Sequence, residues 1–210
     1  DKNTIIVVPH LDDEFAIVPI FRWLKSSILS SLKIVYCSER VGSKENLRRR
    51  RREDNVNVLS LFGIKENQII YVNDYFRVED NHLFESAKSI YRFLYDLFIE
   101  LSPEQVLSLN FEGGHPDHDC LALMISRISF KQEFDTFYFP AYNYRKTLFF
   151  PYSVLRPLKS QEKYAIILRL RYFSWFDLIK ISFMYSTERS AFILLLPTLL
   201  YKSFLSKYII

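Results

Sequence analysis

Short apolar runs alternate with amphipathic segments along the first two-thirds of the chain. Five runs have the length and β-branched character of buried strands: residues 4–8, 32–37, 68–72, 105–109 and 136–139. Between them, apolar residues recur every three or four positions, which predicts helices at residues 15–24, 44–62, 83–101 and 117–130. This alternation predicts an α/β fold: a parallel sheet of about five strands with helices on both faces. Pro19 is expected to shorten or kink the first helix.

The last third of the chain has a different pattern. Residues 142–152 are aromatic and predicted to form a loop, residues 161–185 are predicted to be helical, and residues 191–201 are almost wholly apolar. We therefore divide the chain into an α/β domain at residues 1–160 and a helical, apolar C-terminal extension at residues 161–210. The sequence leaves open whether the extension packs on the same domain, forms a dimer face or lies on a membrane surface.

Composition narrows the class of protein. Of the 210 residues, 49% are apolar, which is enough for one domain with a sizeable core. The net charge is only +4, with one basic cluster at positions 48–52, so we expect no nucleic-acid partner. Two cysteines do not make a disulfide framework and no signal-peptide pattern is present, so we expect a cytoplasmic location. No apolar stretch reaches the roughly 20 residues that span a bilayer.

Three of the four histidines lie in two short segments that follow predicted strands. Residues 9–14 read Pro-His-Leu-Asp-Asp-Glu and follow the first strand, and residues 113–118 read Gly-Gly-His-Pro-Asp-His and come shortly after the fourth. The carboxyl ends of parallel strands lie at one edge of a sheet, where α/β proteins place their sites. Because Pro116 suits the first turn of a helix, His115 and His118 are expected together at one helix start.

Imidazoles and carboxylates in combination are typical of a zinc site with one position left for water. Each residue alone has a simpler explanation, since a lone histidine is more often a core or surface group and acidic residues at a helix start are more often caps. The placement of both segments at one sheet edge nevertheless favours a metal site. Magnesium and phosphoryl transfer are a competing interpretation, but Mg²⁺ prefers an all-oxygen shell, and two imidazoles argue against it.

The two segments together resemble the PIG-L/LmbE-like zinc-dependent N-acetylglucosaminyl deacetylases, over about residues 3–140. The resemblance implies a Rossmann-like fold and removal of acetyl groups from glucosamine-containing molecules. The chain departs from the family in Leu11, where proline is usual, and in residues 16–19, which replace a glycine-rich stretch. Both departures concern the pocket floor, and hence the substrate, rather than the metal ligands.

The resemblance also implies a role for each polar residue of the two segments. Three are implied as zinc ligands: His10, Asp13 and His118. Asp12 is implied as the general base, His115 as the group that stabilises the oxyanion, and Asp117 as the residue that orients His115. The chemistry agrees, because a carboxylate beside a metal can move protons, a cationic imidazole can meet negative charge developing on oxygen, and a second carboxylate can hold that imidazole.

Three further residues are candidates for substrate binding. Arg51 shares a helical stripe with Asp54, and this pair resembles an Arg-x-x-acid pair found in the family; the alternative is a structural ion pair. Tyr142 and Tyr144 could line a sugar pocket by stacking on ring CH groups. Aromatic packing within their loop is the competing interpretation.

The expected activity is zinc-dependent removal of an acetyl group from an N-acetylated aminosugar in a glycan, glycolipid or conjugate. A metal-dependent amidase acting on a non-sugar amide, and a non-catalytic glycan-binding or membrane-attached relative, remain alternatives. Residues 190–210 are the candidate for peripheral membrane contact at the cytoplasmic face. The sequence does not predict the oligomeric state.

Overall fold

A computed structural model describes residues 3–21, 24, 26–40, 45–143, 153–154, 156–164, 167–169, 175–194, 197 and 207–209. At its centre lies a sheet of five parallel strands: β1 (Thr4–Val8), β2 (Lys33–Tyr36), β3 (Ile69–Tyr71), β4 (Gln105–Leu109) and β5 (Asp135–Phe139). Their order is β3-β2-β1-β4-β5, so the direction of winding reverses between β1 and β4. Such a reversal opens a crevice at the carboxyl ends of the two strands. The predicted fold class is confirmed.

Four helices fall in the predicted amphipathic segments: α1 (Val18–Phe21), α3 (Glu45–Ser60), α4 (Ala87–Leu101) and α5 (Pro116–Gln132). A short helix that the sequence pattern does not predict, α2 (Ser26–Ser31), precedes β2. The first predicted helix is the least regular. It is divided into a 3-10 turn at Asp13–Ala16 and the single turn of α1. Pro19 is the second residue of α1, where its missing N–H has no intrahelical partner to lose.

Strand β1 is buried on both faces, and its alternating side chains enter two separate apolar clusters. Ile6 packs in the cluster that includes Leu59 of α3. Ile5 packs in the cluster that includes Leu94 of α4 and Ile125 of α5. Helices therefore cover both faces of the sheet, and the edge at the carboxyl ends is left to loops.

The C-terminal third is only partly as predicted. Two short antiparallel pairs occur, β6 (Tyr142–Asn143) with β7 (Ser153–Val154) and β8 (Ile167–Arg169) with β9 (Lys207–Ile209). The predicted helix over residues 161–185 is wrong at β8, because pairing with the far end of the chain leaves no mark in local apolar spacing. Helix α6 (Trp175–Met184) does form within that range.

Helical structure also covers residues 189–194, and most of the remaining apolar stretch lies outside the described residues. Three side chains of this region enter the apolar cluster that holds Ile6: Ile181, Tyr185 and Phe192. These three side chains of the C-terminal third therefore pack against the central sheet. No helix among the described residues is long and apolar enough to cross a membrane.

Truncation of the central strand should be costly. Ile6→Ala should lower the free energy of unfolding by about 2–5 kcal/mol, because a fully buried side chain leaves a cavity between the sheet and α3. Ile99 of α4 is 59% exposed and provides a matched control; Ile99→Ala should change the free energy by less than about 0.5 kcal/mol. Urea denaturation followed by circular dichroism measures both, and equal losses would contradict the central position of β1.

Candidate active site

Three loops meet at the carboxyl edge of the sheet. The loop after β1 carries residues 9–14, and the loop after β4 leads into α5 through residues 110–115. The third loop comes from beyond β3, where Glu79 bridges to Glu39 and brings Asp80 and Asn81 over the same edge. The carboxyl ends of β1 and β4, where the winding direction reverses, thus form the floor of a polar site.

The loop after β1 folds into a tight turn that brings His10 and Asp13 together. The backbone N–H of His10 donates to Asp13 Oδ2 at 3.0 Å, and His10 Nδ1 lies 2.9 Å from the same oxygen. Ser38 fixes the start of the turn, since its N–H and its hydroxyl both donate to the carbonyl of Pro9. A four-residue segment therefore presents one imidazole and one carboxylate to the same side.

The second segment forms the first turn of α5. Pro116 is the first helical residue, and His115 caps the helix by accepting the N–H of Asp117 on Nδ1 at 3.2 Å. Gly113 has a φ of +66°, a conformation that side chains rarely adopt. A Cβ on Gly114 would lie 3.2 Å from the carbonyl of Tyr142, so the close approach at this glycine is to neighbouring backbone.

His10, Asp13 and His118 converge on one point. Asp13 presents one carboxylate oxygen to each imidazole: Oδ2 lies 2.9 Å from His10 Nδ1, and Oδ1 lies 3.4 Å from His118 Nε2. One ligand atom from each of the three residues lies within 4.8 Å of the others. His10, His115 and Asp117 satisfy the same distance condition and share His10 with the first group.

The outer nitrogens of the two buried histidines face carboxylates. His10 Nε2 lies 3.0 Å from Asp117 Oδ2, and His118 Nδ1 lies 4.0 Å from Glu112 Oε2. Metal-binding histidines usually present their second nitrogen to a carboxylate in this way. This arrangement favours His10, Asp13 and His118 over the other group, because it leaves Asp117 outside the ligand set.

His118 provides a direct test of whether a cation fits. Its side chain is 1% exposed, yet neither ring nitrogen has a hydrogen bond of good geometry to any described residue. A buried polar atom left in this state is costly. Carboxylate oxygens of Asp13 and Glu112 lie 3.4 Å from Nε2 and 4.0 Å from Nδ1. Two imidazoles and one carboxylate suit zinc and leave its fourth position open. The donor set therefore fits the metal that the sequence predicts.

Opposite charges in the cluster set the pKa values of the imidazoles. Burial alone would lower the pKa of His10, but Asp13 and Asp117 outweigh it and raise the pKa to about 10. Burial is likewise outweighed by Asp13 at His118, whose pKa rises to about 9. Burial would raise the pKa of Asp13, but the two imidazoles hold it well below its usual range. The negative potential that draws protons to this point would also draw a divalent cation.

Asp12 lies beside the cluster in an unusual backbone conformation, with φ of 137° and ψ of −16°. Burial, and then the charge of Asp13, raise the pKa of its carboxyl well above the usual range. Its Oδ1 lies 3.6 Å from Arg51 Nη2 and takes no part in the contacts between Asp13 and the imidazoles. The charge of this carboxyl interacts with those of Asp13 and His10, while the carboxyl remains outside the candidate ligand set.

His115 and Asp117 make contacts that differ from those the resemblance implies. The Asp117 carboxylate contacts His10 and the backbone N–H groups of Asn81 and Leu83, while His115 Nε2 lies 3.0 Å from Asn81 Oδ1. Burial and the positive charges of His10 and His118 lower the pKa of His115 to about 4. The ring is therefore neutral near pH 7 rather than the expected cation, with Nδ1 as acceptor and Nε2–H as donor.

Arg51 is buried, and its guanidinium faces protein groups. Nη1 donates to Asp80 Oδ2 at 2.7 Å, and Nη2 donates to the carbonyl of Leu11 at 3.1 Å. The expected partner, Asp54, instead accepts from the backbone and hydroxyl of Ser186. Arg51 thus lies at the base of the site and contacts the loop that carries Asp12.

Of the two candidate tyrosines, Tyr142 contacts the histidine cluster. The ring of Tyr142 lies at the site, with its centroid 5.2 Å from that of His118. Its backbone N–H donates to Glu112 Oε2 at 3.0 Å. Tyr144 lies outside the described residues.

Three residues of the site were not singled out from the sequence: Glu112, Asp80 and Asn81. Glu112 is 2% exposed and accepts the N–H groups of Ala141 and Tyr142, so it joins the loops after β4 and β5. In the sequence, the one feature that points to Glu112 is its position directly before Gly113 and Gly114. Asp80 and Asn81 carried none, because they lie beyond β3 in a loop whose path depends on the bridge to Glu39.

The fold resembles that of solved deacetylases. N,N′-diacetylchitobiose deacetylase from Pyrococcus horikoshii is 16% identical, with a TM-score of 0.55 over 90% of this chain and 71% of that one. Teicoplanin deacetylase Orf2 in its zinc-inhibited form is 11% identical, with a TM-score of 0.60 over 88% and 84%. The A40926 pseudoaglycone deacetylase Dbv21 is 15% identical, with a TM-score of 0.53 over 91% and 82%. At these identities the likeness establishes the fold alone.

Family membership comes from the sequence. Among curated proteins, none matches the chain significantly. The PIG-L model, described as GlcNAc-PI de-N-acetylase, matches residues 5–129, which is more than half of the chain and includes both polar segments. The chain therefore belongs to the PIG-L family.

Proposed function

We propose that this protein is a zinc-dependent hydrolase that removes an acetyl group from an N-acetylated aminosugar. The observation that carries the proposal is the convergence of His10, Asp13 and His118, with the carboxyl of Asp12 beside them. The family description supports an acetylated sugar as the substrate class. So do the names of three structural relatives, which are deacetylases of N,N′-diacetylchitobiose, teicoplanin and the A40926 pseudoaglycone.

His10, Asp13 and His118 would hold the ion, with Asp117 and Glu112 orienting the two imidazoles from behind. Zinc bound there would lower the pKa of a coordinated water towards about 7 and polarise the amide carbonyl. Asp13, Asp117 and Glu112 would supply carboxylate groups that balance the charge of a divalent ion. A neutral substrate could therefore bind without contributing negative charge.

Asp12 is the proposed proton carrier. Its raised pKa suits a group that takes a proton from the attacking water and gives it to the departing nitrogen. A group that performs both transfers must reach the water and the amide nitrogen in turn. The side chain is 26% exposed, so its carboxyl can reach both groups.

His115 is the proposed donor to the carbonyl oxygen of the substrate. A neutral ring with its proton on Nε2 can donate there, although the bond is weaker than one from an imidazolium. In the structure the Nε2–H of His115 faces Asn81 Oδ1. On substrate binding, the carbonyl oxygen of the substrate would replace Asn81 Oδ1 as the acceptor. The backbone N–H of Asp117 holds Nδ1 as the acceptor and thereby preserves the required tautomer.

Tyr142 and Arg51 have different proposed roles in substrate binding. Tyr142 presents its ring beside His118 and would stack on the CH face of a sugar. Arg51 would act by ordering the site, because its guanidinium already contacts Asp80, Asp12 and the carbonyl of Leu11.

An acetate-release assay tests the function. Zinc-loaded protein would be assayed with N-acetylglucosamine free, linked to a nucleotide and linked to a lipid. We expect acetate from at least one form, loss of activity after chelation, and recovery when zinc is restored. Absence of acetate from all three forms would reject the aminosugar substrate, and activity that survives chelation would reject the metal.

Asp12→Asn should retain zinc and lose turnover by about 10²–10⁴-fold, because the amide cannot carry the proton. Asparagine is the appropriate replacement since it tolerates positive φ better than alanine, which limits backbone strain at this position. Steady-state kinetics and elemental analysis of the same sample measure both quantities. Hydrolysis at the wild-type rate would remove Asp12 from the mechanism.

His118→Ala should lose zinc, because it removes one of three proposed ligands and leaves Asp13 with one imidazole. His82→Ala is the matched control, since its side chain is 54% exposed and contacts Glu85 and Phe84 rather than the proposed ligands. Elemental analysis after dialysis against a weak chelator would compare the two variants. Full zinc occupancy in His118→Ala would contradict the ligand assignment.

A further inference from the structure

The peptide group between Leu11 and Asp12 is held at both of its polar atoms. Its carbonyl accepts from Arg51 Nη2 at 3.1 Å, and its N–H donates to Glu14 Oε2 at 3.0 Å. Arg51 and Glu14 are both ionisable residues, and each is buried, with 5% exposure or less. Two hydrogen bonds on opposite sides of a peptide group fix the orientation of its plane. The peptide group held here is the one that immediately precedes the Cα of Asp12.

Asp12 needs such support. Its φ of 137° is a conformation that residues other than glycine rarely adopt, and its side chain makes no capping bond to the turn that follows. A strained conformation persists only where its surroundings enforce it. Arg51 and Glu14 are the groups that contact the peptide entering this residue.

Glu14 is itself held by a buried polar network. Its Oε1 accepts from Asn55 Nδ2 at 2.8 Å and from the hydroxyl of Tyr185 in a short hydrogen bond. Asn55 in turn donates to the hydroxyl of Tyr36 and accepts from that of Tyr71. An unsupported buried carboxylate would be costly, so this network explains how Glu14 can remain under the loop with one oxygen available to Asp12.

The last link comes from the C-terminal part of the chain. Tyr185 follows α6, and three residues later Glu188 Oε1 lies 3.7 Å from Arg51 Nε. The turn between them is docked where Asp54 accepts the N–H and the hydroxyl of Ser186. Tyr185 and Glu188 thus contact the two groups that hold the peptide, although they lie outside residues 5–129 matched by the family model.

We propose that Glu14 is a positioning residue for Asp12, and that Tyr185 of the C-terminal segment holds it in place. Glu14 touches neither the candidate metal point nor the open side of the site, so it acts through the backbone of Asp12. Of the C-terminal segment, the Tyr185 hydroxyl is the group that this proposal connects to Asp12. The inference rests on the proposed function only in assigning Asp12 the proton transfer; the hold on its backbone stands apart from that role.

Tyr185→Phe tests the link, because it removes one hydroxyl and keeps the ring that stacks on Phe192. We expect kcat to fall about tenfold or more, with KM within about twofold and zinc content unchanged, since Asp12 is misplaced while the ligands are not. Ser186→Ala is the matched control: it removes a hydroxyl from the same turn, keeps the backbone bond to Asp54, and should leave kcat unchanged. A kcat for Tyr185→Phe equal to that of the control would overturn the proposal, as would loss of zinc along with activity.

Glu14→Ala and Glu14→Gln provide a second test. The glutamine oxygen can still accept the N–H of Asp12, so Glu14→Gln should retain more kcat than Glu14→Ala. A role in charge alone would make the two variants equally poor, and that result would overturn the positioning role. If Glu14→Ala does not fold, comparison of Tyr185→Phe with its control still decides the question.

A readout without turnover separates this inference from the proposed function. Hydrogen exchange at the backbone amide of Asp12, followed by NMR, should be about tenfold faster in Tyr185→Phe than in wild type or Ser186→Ala. Unchanged exchange would overturn the inference even in an active enzyme. If wild-type protein releases no acetate from any substrate, the proposed function fails, and faster exchange in Tyr185→Phe would still support the hold on the peptide.

Discussion

The site depends on one carboxylate shared between two imidazoles. Asp13 presents a different oxygen to His10 and to His118, and each imidazole turns its other nitrogen towards a second carboxylate. Without Asp13 the two histidines would be like charges in a buried space, and burial would favour their neutral forms. With it, both pKa values rise and the cluster becomes a point of negative potential lined by donors of the zinc type.

This arrangement is possible because of where the sheet changes direction. β1 and β4 are neighbours in space although most of the first half of the chain separates them, so the loop after each strand opens onto the same crevice. The turn at His10 is short and held by its own backbone, and α5 begins at Pro116 with His118 in its first turn. The pairing of β1 with β4 therefore sets how far apart the two candidate ligand segments lie, and the local turns orient the side chains of those segments.

Much of this follows from the sequence, and the limits have physical causes. Strand β4 and the start of α5 could be predicted because apolar runs and a proline act locally. The partner of Asp117 could not, since it depends on which of two nearby histidines the folded loops bring to its carboxylate. The neutral state of His115 was equally hidden, because it results from burial and from the charges of two other histidines. The strand at β8 depends on pairing with the end of the chain.

The same reasoning explains why the C-terminal segment matters although the family model ends before it. A motif of adjacent residues can specify its ligands, but the plane of one peptide group inside that motif needs contacts from elsewhere. Here those contacts come from Arg51 and Glu14, and each is held in turn by residues 185–188. A relative could therefore keep the two polar segments unchanged and replace this support with a different C-terminal structure, so long as the peptide before Asp12 remained fixed. One set of candidate ligands is compatible with different kinds of support, because local turns orient those ligands, whereas contacts from distant parts of the chain orient Asp12.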